Sequence, residues 1–197
     1  MGRPNHSDIK RSEIVQYVYK AIQDHGIEGA TLSTIASYMD GHKSLLTYYF
    51  NTKEELFIAL VDWCIEEYEK FYFESIKDIT DYRERYEKSI ELIFSRQWHE
   101  NINVKVFYSC LYLSMYNPKI KIRFKDMYRR FLESLESELT LYKEKGLINI
   151  DDISGTASYI LAIVEGFDQL WITMEDSHDF EKSSKLFQQQ VRTMLEG

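Results

Sequence analysis

The segment HKSLLTYYFNTK, residues 42–53, concentrates hydrogen-bonding side chains on what reads as a short helix. His42, Lys43, Ser44, Thr47, Tyr48, Tyr49 and Lys53 offer imidazole, ammonium and hydroxyl groups, while Leu46 and Phe50, four apart, form the face a core would take. Cations and hydroxyls exposed on one helix are the groups that bond phosphate oxygens and base edges. An ordinary core helix has no use for so many exposed hydroxyls.

No comparable constellation points to catalysis. His6, His25, His42, His99 and His178 fall on different elements, and the chain has no H-E-x-x-H, no G-x-S-x-G, no P-loop and no glycine-rich dinucleotide fingerprint. The run EKSIELIF lacks the E-x-x-H pairs of a di-iron bundle. Cys64 and Cys110 are far apart and share no metal-ligand spacing with histidine, so reduced thiols are expected. The expectation is a chain with no catalytic residue, no metal site and no cofactor.

The elements that must position residues 42–53 are helical. Only two prolines and eight glycines punctuate 197 residues that are 44% hydrophobic, and β-branched residues dominate no window, which predicts an all-α fold. Residues 8–25 put Ile14, Val18, Ala21 and Ile22 on one face, with Gly26 as a left-handed cap. Thr31 then caps a short second helix, about 32–39, with Leu32, Ile35, Ala36 and Met39 inward. Asp40-Gly41 supplies a tight turn before the third helix, about 43–50, and Thr52 with Glu55 forms a capping box that launches a fourth through Ile76.

Further helices are predicted at about 81–98, 102–115, 118–145, 151–175 and 179–195, with breaks at Asn101, Asn117-Pro118, Gly146 and Asp176-Ser177, making about nine in all. The helix at 118–145 aligns Phe124, Tyr128, Phe131, Leu135, Leu139 and Tyr142. That at 151–175 steps through Ile153, Ala157, Ile160, Val164, Phe167, Trp171 and Met174, and Leu161, Ile163 and Leu170 widen the stripe.

Charge separates two parts. Net charge is −8, yet residues 1–53 carry six Lys/Arg against five Asp/Glu, and the remainder carries 18 against 27. A polyanionic partner would therefore meet the N-terminal part, not the acidic body. The N-terminal stretch lacks the apolar run of a signal peptide, and YILAIV at 159–164 is too short to span a bilayer, so a soluble, cytoplasmic protein without membrane association is expected.

Two short helices around a tight turn, after a longer first helix, are the layout of a helix-turn-helix unit. The stretch resembles the TetR family of bacterial transcriptional regulators. That family's pattern T-x-x-x-I-A-x-x-x-G-V-S-x-x-x-x-Y-x-Y-F-x-x-K-x-x-L is matched by Thr31, Ile35, Ala36, Tyr49, Phe50, Lys53 and Leu56 in unbroken register. Upstream, AIQDHGIEGAT resembles the usual end of its first helix. Asp40 stands where the family has glycine, Gly41 where it has valine, and Thr47 where it commonly has tyrosine.

The resemblance implies a DNA-binding domain at 1–52 and a ligand-binding and dimerisation domain at 53–197. It also implies roles: Thr31 and Ser33 at phosphate, Lys43, Ser44, Leu45 and Thr47 toward bases, Tyr48, Tyr49 and Lys53 on phosphates, and His42 among the DNA-contacting residues. Leu45 suits a thymine methyl group. Arg3, Lys10 and Arg11 form a candidate basic arm. The ordinary alternatives are solubility for Lys53 and partial burial beside Phe50 for Tyr49.

The family further implies a homodimeric repressor on a palindromic double-stranded DNA operator, released by a small hydrophobic or cationic effector. The last two helices are the expected dimer interface, with Phe180, Phe187, Val191 and Leu195 on the final one. Trp98, Tyr108, Tyr112, Tyr128, Phe167, Asp168 and Trp171 are the candidate ligand residues. The C-terminal part is loosely similar to the subgroup typified by the betaine-pathway repressor, which implies an aromatic cage of Trp98, Tyr112 and Trp171 with Glu165 or Asp168. The ordinary alternative for the two acids is an intersubunit salt bridge or helix-end pairing. The competing reading of the whole chain is a helical adaptor without sequence-specific DNA binding.

Overall fold

Helices account for all the regular structure of the described residues, which are 6–174, 177 and 179–197 of a computed structural model. They are α1 (His6–Gly29), α2 (Leu32–Ser37), α3 (Lys43–Tyr49), α4 (Lys53–Ile76), α5 (Tyr82–Ile93), α6 (Arg96–Asn101), α7 (Val104–Ser114), α8 (Pro118–Glu144), α9 (Ile153–Met174) and α10 (Phe180–Glu196). No helix among the described residues is long and apolar enough to cross a membrane.

Among the described residues ten helices stand in place of the expected nine because the stretch 81–98 is broken. Phe94 leaves helical geometry at φ −115°, and the Ser95 hydroxyl accepts the Trp98 N–H at 3.2 Å to start α6. The carbonyl released at Phe94 is taken by the buried Ser184 hydroxyl of α10 at 2.7 Å. A tertiary partner thus stabilises a break that local helix propensity hides.

Two compact units emerge: the chain through Tyr68 together with Lys105–Phe124, and Glu69–Val104 together with Lys125–Gly197. In the first, Ile14, Val18, Ala21 and Ile22 of α1 are buried, as their spacing predicts, with Ile35, Ala36, Met39, Leu46, Phe50, Leu56 and Leu60. Leu32 is only half-buried. Contacts fix α7 antiparallel to α4. Tyr68 meets Phe107 with ring centroids 5.2 Å apart, and Asn117, just past α7, donates to Glu54 at 2.8 Å. Between those contacts lie Cys64 and Cys110, both buried free thiols, and their mutual hydrogen bond and then burial push the Cys64 thiol up.

The core of the second unit joins Tyr86, Ile90 and Phe94 of α5 and its end, Leu139 and Tyr142 of α8, Ala157, Ile160, Val164 and Phe167 of α9, and Phe180, Val191 and Leu195 of α10. One sequence-based expectation changes here. Phe180, Val191 and Leu195, read as interface residues, are at most 3% exposed within this single chain, and Phe187 is half-buried against Phe94 and Phe167. Met174 and Leu170, counted in the apolar stripe of α9, are exposed. The break predicted at Asp176-Ser177 falls partly outside the described residues, because Asp176 is not among them.

Candidate functional site

The N-terminal site is built from its turns. Regular α1 geometry ends at Gly26, which sits at φ 70°, a conformation a side chain disfavours. Thr31 caps α2 by accepting the Thr34 N–H at 3.1 Å. The Tyr38 hydroxyl donates to Asp24 at 2.7 Å, tying the end of α2 back to α1. Asp40 (φ 53°) and Gly41 (φ 83°) both take left-handed conformations, and the Gly41 N–H reaches back to the Ala36 carbonyl at 2.9 Å. The turn therefore closes in the manner of a Schellman motif with aspartate in the position usually given to glycine, a substitution that aspartate tolerates better than most residues.

This turn aims α3 as the sequence suggests. Leu46 and Phe50 are buried, whereas His42, Lys43, Ser44, Leu45, Thr47 and Tyr48 are exposed, Tyr48 to 78%. Thr31, Ser33 and Lys53 are also exposed. Tyr49 is half-buried with its ring edge against Tyr48, and Lys53 lies over the Phe57 ring at 5.1 Å. The Thr47 hydroxyl donates to its own helix at the Ser44 carbonyl, 3.1 Å away, so its lone pairs are available to a base and donation to one needs that bond to break. All ten residues singled out for this site belong to the first unit.

Sequence reasoning did not foresee the role of Arg11. It was grouped with Lys10 and Arg3 as a basic arm, but its guanidinium donates to the Tyr49 carbonyl at 2.5 Å and to Glu55 at 3.0 Å, and covers the Phe50 ring at 4.3 Å. It thereby holds the C-terminal end of α3 to α1 and α4. Lys10 pairs with Glu13 at 2.6 Å, and Arg3 lies outside the described residues. At the α4 start Thr52 accepts the Glu55 N–H at 3.0 Å as predicted, but the Glu55 carboxylate returns to the Asn51 N–H at 3.1 Å. Arg11 and then Asn51 hold the Glu55 carboxyl below its ordinary range.

The candidate ligand residues are dispersed. Tyr108 and Tyr112 belong to the first unit, where Tyr112 is exposed and pairs with Tyr116, and Tyr108 stands edge-on to Phe107. The others are in the second. Trp98 packs among Phe71, Tyr72 and Phe131, whereas Phe167 and Trp171 share the Phe180 ring. Arg96 covers both Trp171 and Phe180. Tyr128 donates to Glu165 at 3.0 Å.

A cavity of about 40 Å³ opens elsewhere in this unit, and none of the seven candidates lines it. Its walls are Ile90, Ile93, Leu135, Leu139, Ile160, Val191 and neighbouring side chains, with Tyr72, Tyr86, Ser89, Ser134, Glu138 and Tyr142 as the polar exceptions. Arg85 grips Glu138 with two nitrogens, Nε at 3.0 Å and Nη2 on the other oxygen. This pair spans 53 residues of sequence and leaves no local signal.

Asp168 is 7% exposed, and burial followed by the charge of Glu165 pushes its carboxyl well above the usual carboxylate range. For an acid raised on folding, stability declines as pH climbs from the unfolded carboxylate range, about 4, toward the folded value, and stays lowered above it. Asp168→Asn is therefore expected to stabilise the protein at neutral pH by about 1–3 kcal/mol and to bring no gain below about pH 4. Urea denaturation at pH 4 and pH 7.5 checks this; an equal or negative effect at both values contradicts it.

The sequence pattern described as "Tetracyclin repressor-like, C-terminal domain" matches residues 81–196, and that described as "Bacterial regulatory proteins, tetR family" matches residues 19–60. Among curated protein sequences none matches. The fold is similar to that of a protein from Saccharomonospora viridis assigned as a transcriptional regulator and crystallised in complex with choline: TM-score 0.83, 17% identity, 94% of this chain and 96% of that one. It is also similar to a TetR transcription regulator from Haloarcula marismortui (0.83, 20% identity, 95% and 99%). The fatty acid degradation regulator FadR from Bacillus halodurans follows (0.76, 19% identity, 97% of each chain).

Proposed function

We infer, from the premise that this chain belongs to the TetR family of bacterial regulatory proteins, that it is a repressor which binds a palindromic operator as a homodimer and is released by a small effector. Membership carries the broader statement: a DNA-binding regulator whose C-terminal helical domain binds ligand. Residues 1–52 are assigned to the DNA-reading domain and 53–197 to effector binding and dimerisation.

The observation that carries the reading is the sidedness of α3. Leu46 and Phe50 anchor it while six consecutive or near-consecutive side chains from His42 to Tyr48 face outward. Lys43, Ser44, Leu45 and Thr47 read bases; Thr31, Ser33, Tyr48, Tyr49 and Lys53 bind phosphates. The test is a fluorescence binding assay with the DNA upstream of the protein's own gene at two salt concentrations. Tyr48→Phe and Lys53→Ala should weaken binding to every sequence, and Lys53→Ala should lower the salt slope by about 1. Lys43→Ala and Thr47→Ala should shift base preference by roughly 1–3 kcal/mol per lost contact. If no palindromic fragment binds above random DNA, the regulator reading is wrong.

The dimer reading now rests on a different face from the one the sequence suggested. No exposed residue of α9 is charged, and its two acids, Glu165 and Asp168, are half-buried and buried. Gly155, Tyr159, Ala162, Gly166, Leu170 and Thr173 follow one another at helical spacing on the exposed side, and Leu186 is exposed on α10. In a chain that is 28% charged, so long an uncharged face favours a second copy as its cover. A Cβ at Gly166 would meet nothing within 4 Å, so packing inside the chain does not require glycine there.

The effector is small and hydrophobic or cationic. For a cation, Asp168, one turn before Trp171, and Glu165, one turn before Asp168, are the candidate seat, with Tyr128 on Glu165 and Phe167 as aromatic surface; Trp98 packs instead with Phe71, Tyr72 and Phe131, and Tyr108 and Tyr112 are the candidates in the first unit.

A further inference from the structure

The cavity beside α5, α8, α9 and α10 is mostly apolar, and one group of its polar side chains has specific chemistry. The Ser89 hydroxyl lies 3.4 Å from that of Tyr142 and within hydrogen-bonding reach of Tyr72. Tyr142 donates to Glu138 Oε2 at 2.7 Å, and Glu138 is gripped by Arg85. The Glu138 side chain is 13% exposed and that of Arg85 27%.

Three consequences follow for a guest. The ion pair cancels its own charge, so an ion entering the cavity would lose its hydration without gaining a counter-charge. The Tyr142 proton is committed to Glu138, which leaves its oxygen as an acceptor. Ser89, whose contact with Tyr142 is long, retains a proton to donate, so a guest hydroxyl can donate to Tyr142 and accept from Ser89.

We propose that this cavity is the effector site and takes an uncharged molecule with an apolar body and a single hydroxyl head bound by Ser89 and Tyr142. The proposal rests on the regulator reading and replaces its open choice of hydrophobic or cationic effector with a neutral one. At about 40 Å³ the cavity is smaller than the 300–1,000 Å³ of typical ligand sites, so a guest must move the walls. The expanded arrangement is favoured only while the guest is bound, which is the differential affinity that a population shift requires.

The test uses the full chain and three probes: p-cresol as the neutral molecule, octanoate as an anion and choline as a cation. Calorimetric titration and thermal shift are expected to detect p-cresol alone, with affinity falling about tenfold or more in Ser89→Ala and in Tyr142→Phe. Tyr82→Phe, the same chemical change at an exposed position outside the cavity lining, should leave p-cresol affinity unchanged. Ser89→Ala is the smaller change and keeps the test valid should Tyr142→Phe unfold. Preferential binding of octanoate or choline overturns the proposal, as does p-cresol binding that both variants leave intact, or no binding of p-cresol. Operator binding without any probe is measured alongside. Its retention while p-cresol fails overturns this inference alone, whereas its loss overturns the regulator reading.

Discussion

Gly166→Arg is expected to convert the protein to a folded monomer and to lower its affinity for a two-half-site operator by about 100-fold or more. The substitution puts a long cation in the middle of the uncharged face of α9, where a symmetry-related copy would present the same cation to it. Within the chain the change is harmless. The position is open, and arginine suits a helix interior better than glycine by roughly 0.5–1 kcal/mol. A loss of dimer therefore cannot be blamed on a loss of fold, provided the melting temperature holds or rises. A monomer keeps one recognition helix and one set of phosphate contacts, so it forfeits the second half-site and its share of the salt dependence. Sedimentation equilibrium at micromolar protein reads the assembly state directly. A dimer of undiminished strength would remove α9 from the interface.

The second large effect concerns Arg85. Replacing it with methionine leaves the mostly buried Glu138 with Tyr142 as its remaining partner, and the expected cost is about 3 kcal/mol, reduced somewhat by the part-exposed guanidinium. For a chain of this length that lowers the melting temperature by roughly 6–12 °C. Adding Glu138→Leu should recover most of the loss, because the pair's worth lies in mutual neutralisation and not in net stabilisation. A double-mutant cycle in urea isolates the coupling. If Arg85→Met alone costs under about 1 kcal/mol, the pair is effectively solvated and the neutral corner of the cavity has no electrostatic basis.

The N-terminal head was the legible part of this sequence because its determinants are local. Caps at Thr31 and Thr52, the Asp40-Gly41 turn, and the four-residue spacing of Leu46 and Phe50 all act within a few residues, and each appears in the structure as its chemistry predicts. Arg11 escaped because its partners lie 38 and 44 residues away, and a basic residue near an N-terminus reads as a surface charge. The α5–α6 break escaped for the same reason: Ser184 is 90 residues from the carbonyl it satisfies. On α9 and α10 the apolar periodicity was right but its destination was not. Periodicity reports that a face is covered and is silent on which chain covers it, and Phe180, Val191 and Leu195 proved to be covered by their own.

The division of labour along α3 has a consequence for how such a protein changes over generations. A seven-residue helix is too short to persist alone, so its shape is supplied by Leu46, Phe50 and the distant Arg11, none of which faces outward for reading. The outward residues Lys43, Ser44, Leu45 and Thr47, proposed above to read bases, are exposed and carry little of the folding free energy. With that role, mutations among them would explore new operators at little risk to the scaffold, while the anchoring trio stays fixed. Drift in target choice and constancy of architecture would then fall to separate residues.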